Sequence, residues 1–279
     1  MTPAGRWLAA LLAVLLACCS TAMPRAIETS AIPTVTTAPI PTAEGASGPE
    51  RIVARRTLDR PPQPVIAATN RPNLVTDHCV DHDLAAPSVT DMAMVVLDRS
   101  YALPAGYVPD DLVAASEAGL SGTAGTELVR AVLVADLAEM AAAWHAAGLT
   151  VTLESGYRSY AAQAATFDSW VARLGYANAL GRAARPGHSE HQLGTALDLT
   201  SPGWSGRFGD WAVESPEGSW MAAHGWEYGF VMSYPAGSQD ATCFSYEPWH
   251  YRWIGREAAA AHRDSGLDLR RFLERYVGT

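Results

Sequence analysis

Ser189-Glu190-His191-Gln192-Leu193-Gly194-Thr195-Ala196-Leu197-Asp198 places an imidazole, His191, and a carboxylate, Asp198, seven residues apart with a glycine between them. Glycine turns a chain where other residues are strained. Ala196 to Leu199, just after it, reads as a strand. Such a turn lets Asp198, on the inner face of that strand, come back toward His191. Nitrogen and carboxylate donors together suit zinc. Standing alone, though, a His near an Asp is most often a structural contact.

A second segment, Glu247-Pro248-Trp249-His250, adds a third ligand of the right chemistry and a carboxylate three residues before it. Three protein ligands with one open position describe a catalytic zinc site rather than a structural one. Glu247 then has work as a general base on water. Residues three apart on a regular strand face opposite ways. Glu247 is therefore expected just before a strand spanning Trp249 to Trp253, and Pro248 suits that irregular entry.

Working outward, Leu149 to Leu153 alternates as a strand and runs into Ser155-Gly156-Tyr157-Arg158-Ser159, followed by a helix from about Tyr160 to Leu174. Thr126 is placed to cap an amphipathic helix over Glu127 to Ala147, with Val129, Val132, Leu133, Leu137, Met140 and Trp144 on one face and Gly148 ending it. Met94 to Leu97 reads as a short strand. Shorter helices are expected near Ser219–His224, Arg256–Arg263 and Leu269–Tyr276. The sum is an α+β domain: a small mixed or antiparallel sheet with flanking helices.

The chain has 279 residues, 48% apolar and 18% charged, enough for one well-filled core. Its net charge is -9, and all 20 basic residues are arginine. That balance offers no electrostatic footprint for nucleic acid and no polybasic patch for anionic lipid. Residues 1–18 carry Arg6, an apolar run from Trp7 to Ala17 and then Cys18, the pattern of an export signal whose Leu15-Leu16-Ala17-Cys18 looks like a bacterial lipobox. Cys18 is thus expected to be lipidated, as the protein's one tie to a membrane. Residues 19–76 are rich in Pro, Thr and Ala and read as a linker without its own fold. The folded domain is expected over 77–279. An exported domain works in an oxidising compartment, where Cys79 and Cys243 pair more often than they stay as separate thiols.

Taken in order, Ser155-Gly156-Tyr157-Arg158-Ser159-Tyr160 with Gln163, Ser-x-His-x-x-Gly-x-Ala-x-Asp ending at Asp198, and Glu247-Pro248-Trp249-His250-Tyr251-Arg252-Trp253 resemble the VanY-type D-Ala-D-Ala carboxypeptidases. A Leu-Pro-x-x-Tyr-x-Pro pattern between Leu97 and Leu112 extends the likeness, which runs from about 89 to 256. Asp98-Arg99 departs from the family's usual Asn-Lys but lies outside the metal motifs. The resemblance implies a hedgehog/D-Ala-D-Ala peptidase-like fold and one zinc ion held by His191, Asp198 and His250. It also implies Glu247 as general base and Arg158 as the oxyanion's partner. Gln163 and Ser189, with Ser155 and Tyr157, would meet the substrate. That substrate would be a peptidoglycan stem peptide losing its terminal D-Ala to a monomeric enzyme. Cleavage of an L,D bond in tetrapeptide stems and a non-catalytic wall-binding relative are the alternatives. An intact Glu247 weighs against the latter.

His188 is expected as a neighbour of the site rather than a ligand. His78 and His82 are expected as surface polar groups around Cys79. Trp226, Trp249 and Trp253 are expected in the core or the cleft wall. No Gly-x-Ser-x-Gly elbow and no His-Glu-x-x-His pair suggests another hydrolytic chemistry.

Overall fold

Strict alternation along two strands divides the molecule into a greasy side and a chemical side. In β2 (Ala196–Thr200) and β4 (His250–Trp253), Leu197, Leu199, Tyr251 and Trp253 are all buried within the main core. Asp198, His250 and Arg252 fall on the opposite phase, as a period of two requires. With β1 (Thr152–Ser155) and β3 (Phe230–Met232) these strands form one sheet in the order β1-β2-β4-β3, antiparallel throughout. Two smaller ladders accompany it. Leu84–Ala85 runs parallel to Tyr101–Ala102, and Leu112–Ala114 antiparallel to Leu128–Arg130. This computed structural model describes residues 77–275 except 78, 88, 90, 126 and 207, all within one compact unit. The expected leader with Cys18, the linker, the Thr126 cap and the C-terminal end of the last expected helix lie outside the described residues.

Helix α1 (Ala131–Ala146) covers the greasy face. Leu133, Leu137, Met140 and Trp144 form a stripe at helical spacing, at most 1% exposed, packed with Leu153, Leu197, Leu199 and Trp253. Each such side chain contributes roughly 1.5–3 kcal/mol relative to exposure. Asp136, on the same helix and fully buried, accepts from Trp253 Nε1 (3.0 Å) and Arg256 Nε (2.7 Å), so one carboxylate joins the helix to β4 and to the helix after it.

The helix begins later than its apolar pattern suggests. Residues Leu128–Arg130, expected in its first turn, pair instead with Leu112–Ala114. A tertiary partner has overridden local propensity there. Helix α2 (Tyr160–Leu174) matches its expected span, and Ser159 caps it by accepting from Ala162 N. Helices α3 (Pro216–His224) and α4 (Arg256–Ser265) extend slightly beyond theirs. The last helix stops at Leu273.

Met94 to Leu97 is not a strand. Met92–Met94 forms a 3-10 turn capped by Asp91, and Val95 and Val96 follow as buried chain outside any ladder. The backbone acceptors that a strand would satisfy are met by a guanidinium: Arg252 Nη2 donates to Ala93 O (2.9 Å) and Val95 O (2.6 Å). An apolar run buried all round carries no period to tell strand from irregular chain.

Cys79 and Cys243 are bonded, their Cα atoms 5.4 Å apart and 164 residues apart in sequence. The bond ties the start of the described chain to the segment that leads into Glu247. By the loop-entropy estimate a closure of this length restricts the unfolded chain by about 5 kcal/mol, with typical gains of 2–4 kcal/mol. Reduction is therefore expected to lower the melting temperature clearly while metal binding persists at low temperature. Melts with and without reductant, beside a metal titration, measure both.

Candidate active site

Asp198 and His250 are directly opposed in the register of β2 and β4. Opposed residues share a face, so pairing alone brings the carboxylate and the imidazole together: Asp198 Oδ1 lies 2.9 Å from His250 Nδ1. His191 arrives from the other side, on the 3-10 turn Glu190–Leu193, with Nε2 3.1 Å from Asp198 Oδ2. Gly194 ends that turn in the left-handed region (φ +72°), and a Cβ there would sit 2.9 Å from Arg130 Cγ and 3.1 Å from Leu112 Cδ2. Only glycine accommodates both the backbone and the crowding.

Ligand-type atoms of His191, Asp198 and His250 lie within 4.8 Å of one another. The unused nitrogens are anchored. His191 Nδ1 donates to Gly156 O (2.7 Å), and His250 Nε2 to Glu190 Oε2 (2.9 Å). Gly156 must itself be a glycine, since a Cβ would lie 2.4 Å from Leu128 O. Anchored back nitrogens are what metal-ligating histidines show. Burial lowers the pKa of His191, favouring the neutral ring that binds metal. Burial also disfavours a proton on His250, but hydrogen bonds to Asp198 and Glu190 outweigh it and raise its pKa to about 10. The pocket is thus built to hold positive charge, and a His–Asp–His donor set fits zinc.

The three lie in an open cleft of about 210 Å³, shared with Arg158, Gln163, Ser189, Tyr234, Glu247 and Trp249. Glu247 sits in the chain just ahead of β4, its N–H on Tyr234 O (3.0 Å) and its carbonyl accepting from His250 N (3.1 Å). Burial pushes its carboxyl up to about 7, although His250 pulls the other way. Arg158 leaves β1 with its backbone N–H on His191 O, which holds it beside His191, Asp198 and His250. Its Nη2 is 4.0 Å from Asp198 Oδ2, and its buried Nε has no partner. Gln163 donates Nε2 to Ala184 O (2.6 Å), leaving Oε1 buried and unpaired.

A scan against family models matches residues 126–256 to the VanY D-alanyl-D-alanine carboxypeptidases. "Putative carboxypeptidase YodJ" of Bacillus subtilis (strain 168) is 33% identical over 183 residues, covering 65% of this chain and 67% of the relative. The chain belongs to the VanY family of D-alanyl-D-alanine carboxypeptidases. Among solved structures, the LdcB LD-carboxypeptidase superposes with a TM-score of 0.59 at 32% identity, covering 66% of this chain and 86% of that one. The vancomycin-resistance D,D-pentapeptidase VanY, solved with Zn(II), gives 0.54 at 28%, covering 66% and 99%.

Not every expected VanY-type residue reaches the cleft. Ser155 is registered opposite Asp198 past an irregularity in β1, and Tyr157 spends its N–H on Leu128 O; neither lines the cleft. Both belong to the approach to Arg158, whose placement they set through the backbone. His188 turns away, with Nδ1 on Asp98 O (2.7 Å) and Nε2 near Asp83. Trp249 lines the cleft, while Trp253 is fully buried in the core. Sequence reasoning passed over two residues: Tyr234, stacked 5.0 Å from the His250 ring, and Glu190. Glu190 was visible as an acid beside His191, but an acid on a turn ordinarily points to water.

Gly194→Ala is expected to cost about 1–3 kcal/mol, the scale of a residue forced into a rare backbone region. It should also weaken metal binding, because the turn carries His191. A thermal melt together with a zinc titration of the variant checks both.

Proposed function

We propose that this protein is an exported zinc carboxypeptidase, one ion per monomeric chain, that removes the terminal D-Ala from D-Ala-D-Ala stem peptides of peptidoglycan. The observation that carries the reading is the convergence of His191, Asp198, His250, Glu247 and Arg158 on one open cleft. His191, Asp198 and His250 would hold the zinc, which would supply Lewis acidity to lower the pKa of a water toward about 7 and to polarise the scissile carbonyl.

Glu247 takes the proton from the attacking water and returns it to the leaving amine. Burial raises its carboxyl above the usual range in the metal-free cleft, which makes it the more basic of the neighbouring acids. Arg158 has donors to spare beside Asp198, so its guanidinium meets the charge that develops on the carbonyl oxygen. A single well-placed donor of this kind is worth about 2.7–4 kcal/mol. Gln163 presents an oxygen, an acceptor, and so fits a substrate N–H. The Ser189 hydroxyl, lining the same cleft, is left to donate to the terminal carboxylate.

The likeness to the LdcB LD-carboxypeptidase at 32% identity supports a second reading, cleavage of the L,D bond of tetrapeptide stems by the same residues. The Cys79–Cys243 bond supports export, since disulfides persist in oxidising compartments. Cys18 in its lipobox supports a lipid anchor, and Cys18→Ala is expected to move the protein from the membrane fraction to the soluble one.

Glu247→Gln is expected to keep its zinc and lose at least about 100-fold in turnover, the low end for a general base. Pentapeptide, tetrapeptide and tripeptide stems incubated with wild type and weighed by mass spectrometry give the cleavage site. Loss of one D-Ala from the pentapeptide alone supports the first reading, and tetrapeptide converted to tripeptide supports the second. Turnover by the Gln variant within tenfold of wild type would remove Glu247 from the role of base.

A further inference from the structure

Behind His250 lies a buried polar chain that the proposed reaction does not use. Glu190 is 4% exposed and lies on the far side of the imidazole from Asp198. Its Oε2 accepts from His250 Nε2 (2.9 Å) and from Ser233 Oγ (2.6 Å). Its Oε1 accepts from Arg252 Nη1 (2.8 Å). Arg252 is fully buried, and its other terminal nitrogen is spent on Ala93 O and Val95 O. The chain therefore runs from the irregular segment after Asp91, through Arg252 and Glu190, to the back of His250.

We propose that Glu190, fixed by Arg252, is a positioning residue that sets the tautomer and orientation of His250, so that Nδ1 is the atom offered to the metal, and that its negative charge strengthens metal affinity. The inference rests on the zinc reading of the cleft and deepens it.

An ionised carboxylate has only acceptors, so the hydrogen between Glu190 and His250 must sit on Nε2. Without metal, Nδ1 also carries a hydrogen toward Asp198; in the neutral ring that a metal would bind, the lone pair is then on Nδ1. Ionisation is secured by position, because Glu190 faces the Arg252 guanidinium at 2.8 Å in a space closed to solvent. The two histidines differ on this point. His191 donates its back hydrogen to a neutral carbonyl, Gly156 O, whereas His250 donates to a charged carboxylate. A charged acceptor makes the ring a stronger donor to the metal, and loss of such a partner typically costs 10–100-fold in affinity. Two acids, Asp198 and Glu190, thus flank one imidazole: one faces the metal point directly, and the other acts through the ring.

The test uses the intact exported domain, stripped of metal and titrated with zinc against a competing chelator. Glu190→Gln preserves shape but removes the charge, and is expected to bind zinc 10–100-fold more weakly. Ser233→Ala removes a hydrogen bond to the same oxygen but keeps the charge, and is expected to bind within about threefold of wild type. Cobalt(II) put in place of zinc should show a changed visible spectrum in Glu190→Gln and an unchanged one in Ser233→Ala, a signature that a purely structural role would not move. A folded Glu190→Gln protein that binds zinc within about threefold of wild type overturns the proposal while leaving the active-site reading intact. Should that variant fail to fold, nitrogen-15 spectra of zinc-loaded wild type decide the point. A protonated Nε2 on His250 supports the assignment, and metal on Nε2 overturns it. Wild type that binds no zinc sinks this inference together with the function proposed above.

Discussion

The direct pairing of Asp198 with His250 across β2 and β4 is the contact on which the cleft depends. Strand side chains alternate, so a slip of one residue in either strand would send its member of the pair into the face covered by α1 and bring Leu197 or Tyr251 out in its place. The register is held from the apolar side. Leu197, Leu199, Tyr251 and Trp253 must fill the space under α1, and Asp136 ties Trp253 to that helix. Packing on one face thereby places chemistry on the other. No separate device is needed to hold these two side chains together.

Charge organises what packing brings together. Asp198, Glu190 and Glu247 crowd one small region, an arrangement that costs energy unless cations answer it. Arg252 answers Glu190 through a 2.8 Å contact inside the core, and Arg158 approaches Asp198 from the cleft side. Burial alone would oppose the ionisation of Glu190, but Arg252 and His250 outweigh it and bring the carboxyl down to about 2. Glu247 has no such close partner, and the same burial drives its carboxyl up instead. Neighbouring acids thus separate into one held charged, Glu190, and one whose proton is held more tightly, Glu247.

The disulfide and the Arg252 chain act on the same region from different sides. Cys243 lies four residues before Glu247, so its bond to Cys79 limits how that approach can move. Arg252, two residues after His250, reaches the backbone at Ala93 and Val95. Segments far apart in sequence therefore brace the short stretch from Glu247 to Arg252 at both ends.

Much of this was legible in the residues because the signals were local. His191, Gly194 and Asp198 sit within one turn and one strand, and α2 follows directly on the Ser155–Ser159 motif, over the span expected. Alternation in β2 and β4 declares which residues point inward. The sequence by itself therefore determined the elements that carry His191, Asp198 and His250, and the family. Only the tertiary structure decided which neighbours those elements would find. Leu128 to Arg130 had helical apolar spacing and took a strand partner. Met94 to Leu97 had strand-like residues and joined no ladder, with Val95 O accepting from Arg252 instead. Glu190 drew no assignment from its sequence and became the partner of His250. In each case the deciding energy is a contact with a residue distant in sequence, and local spacing carries no record of such a contact.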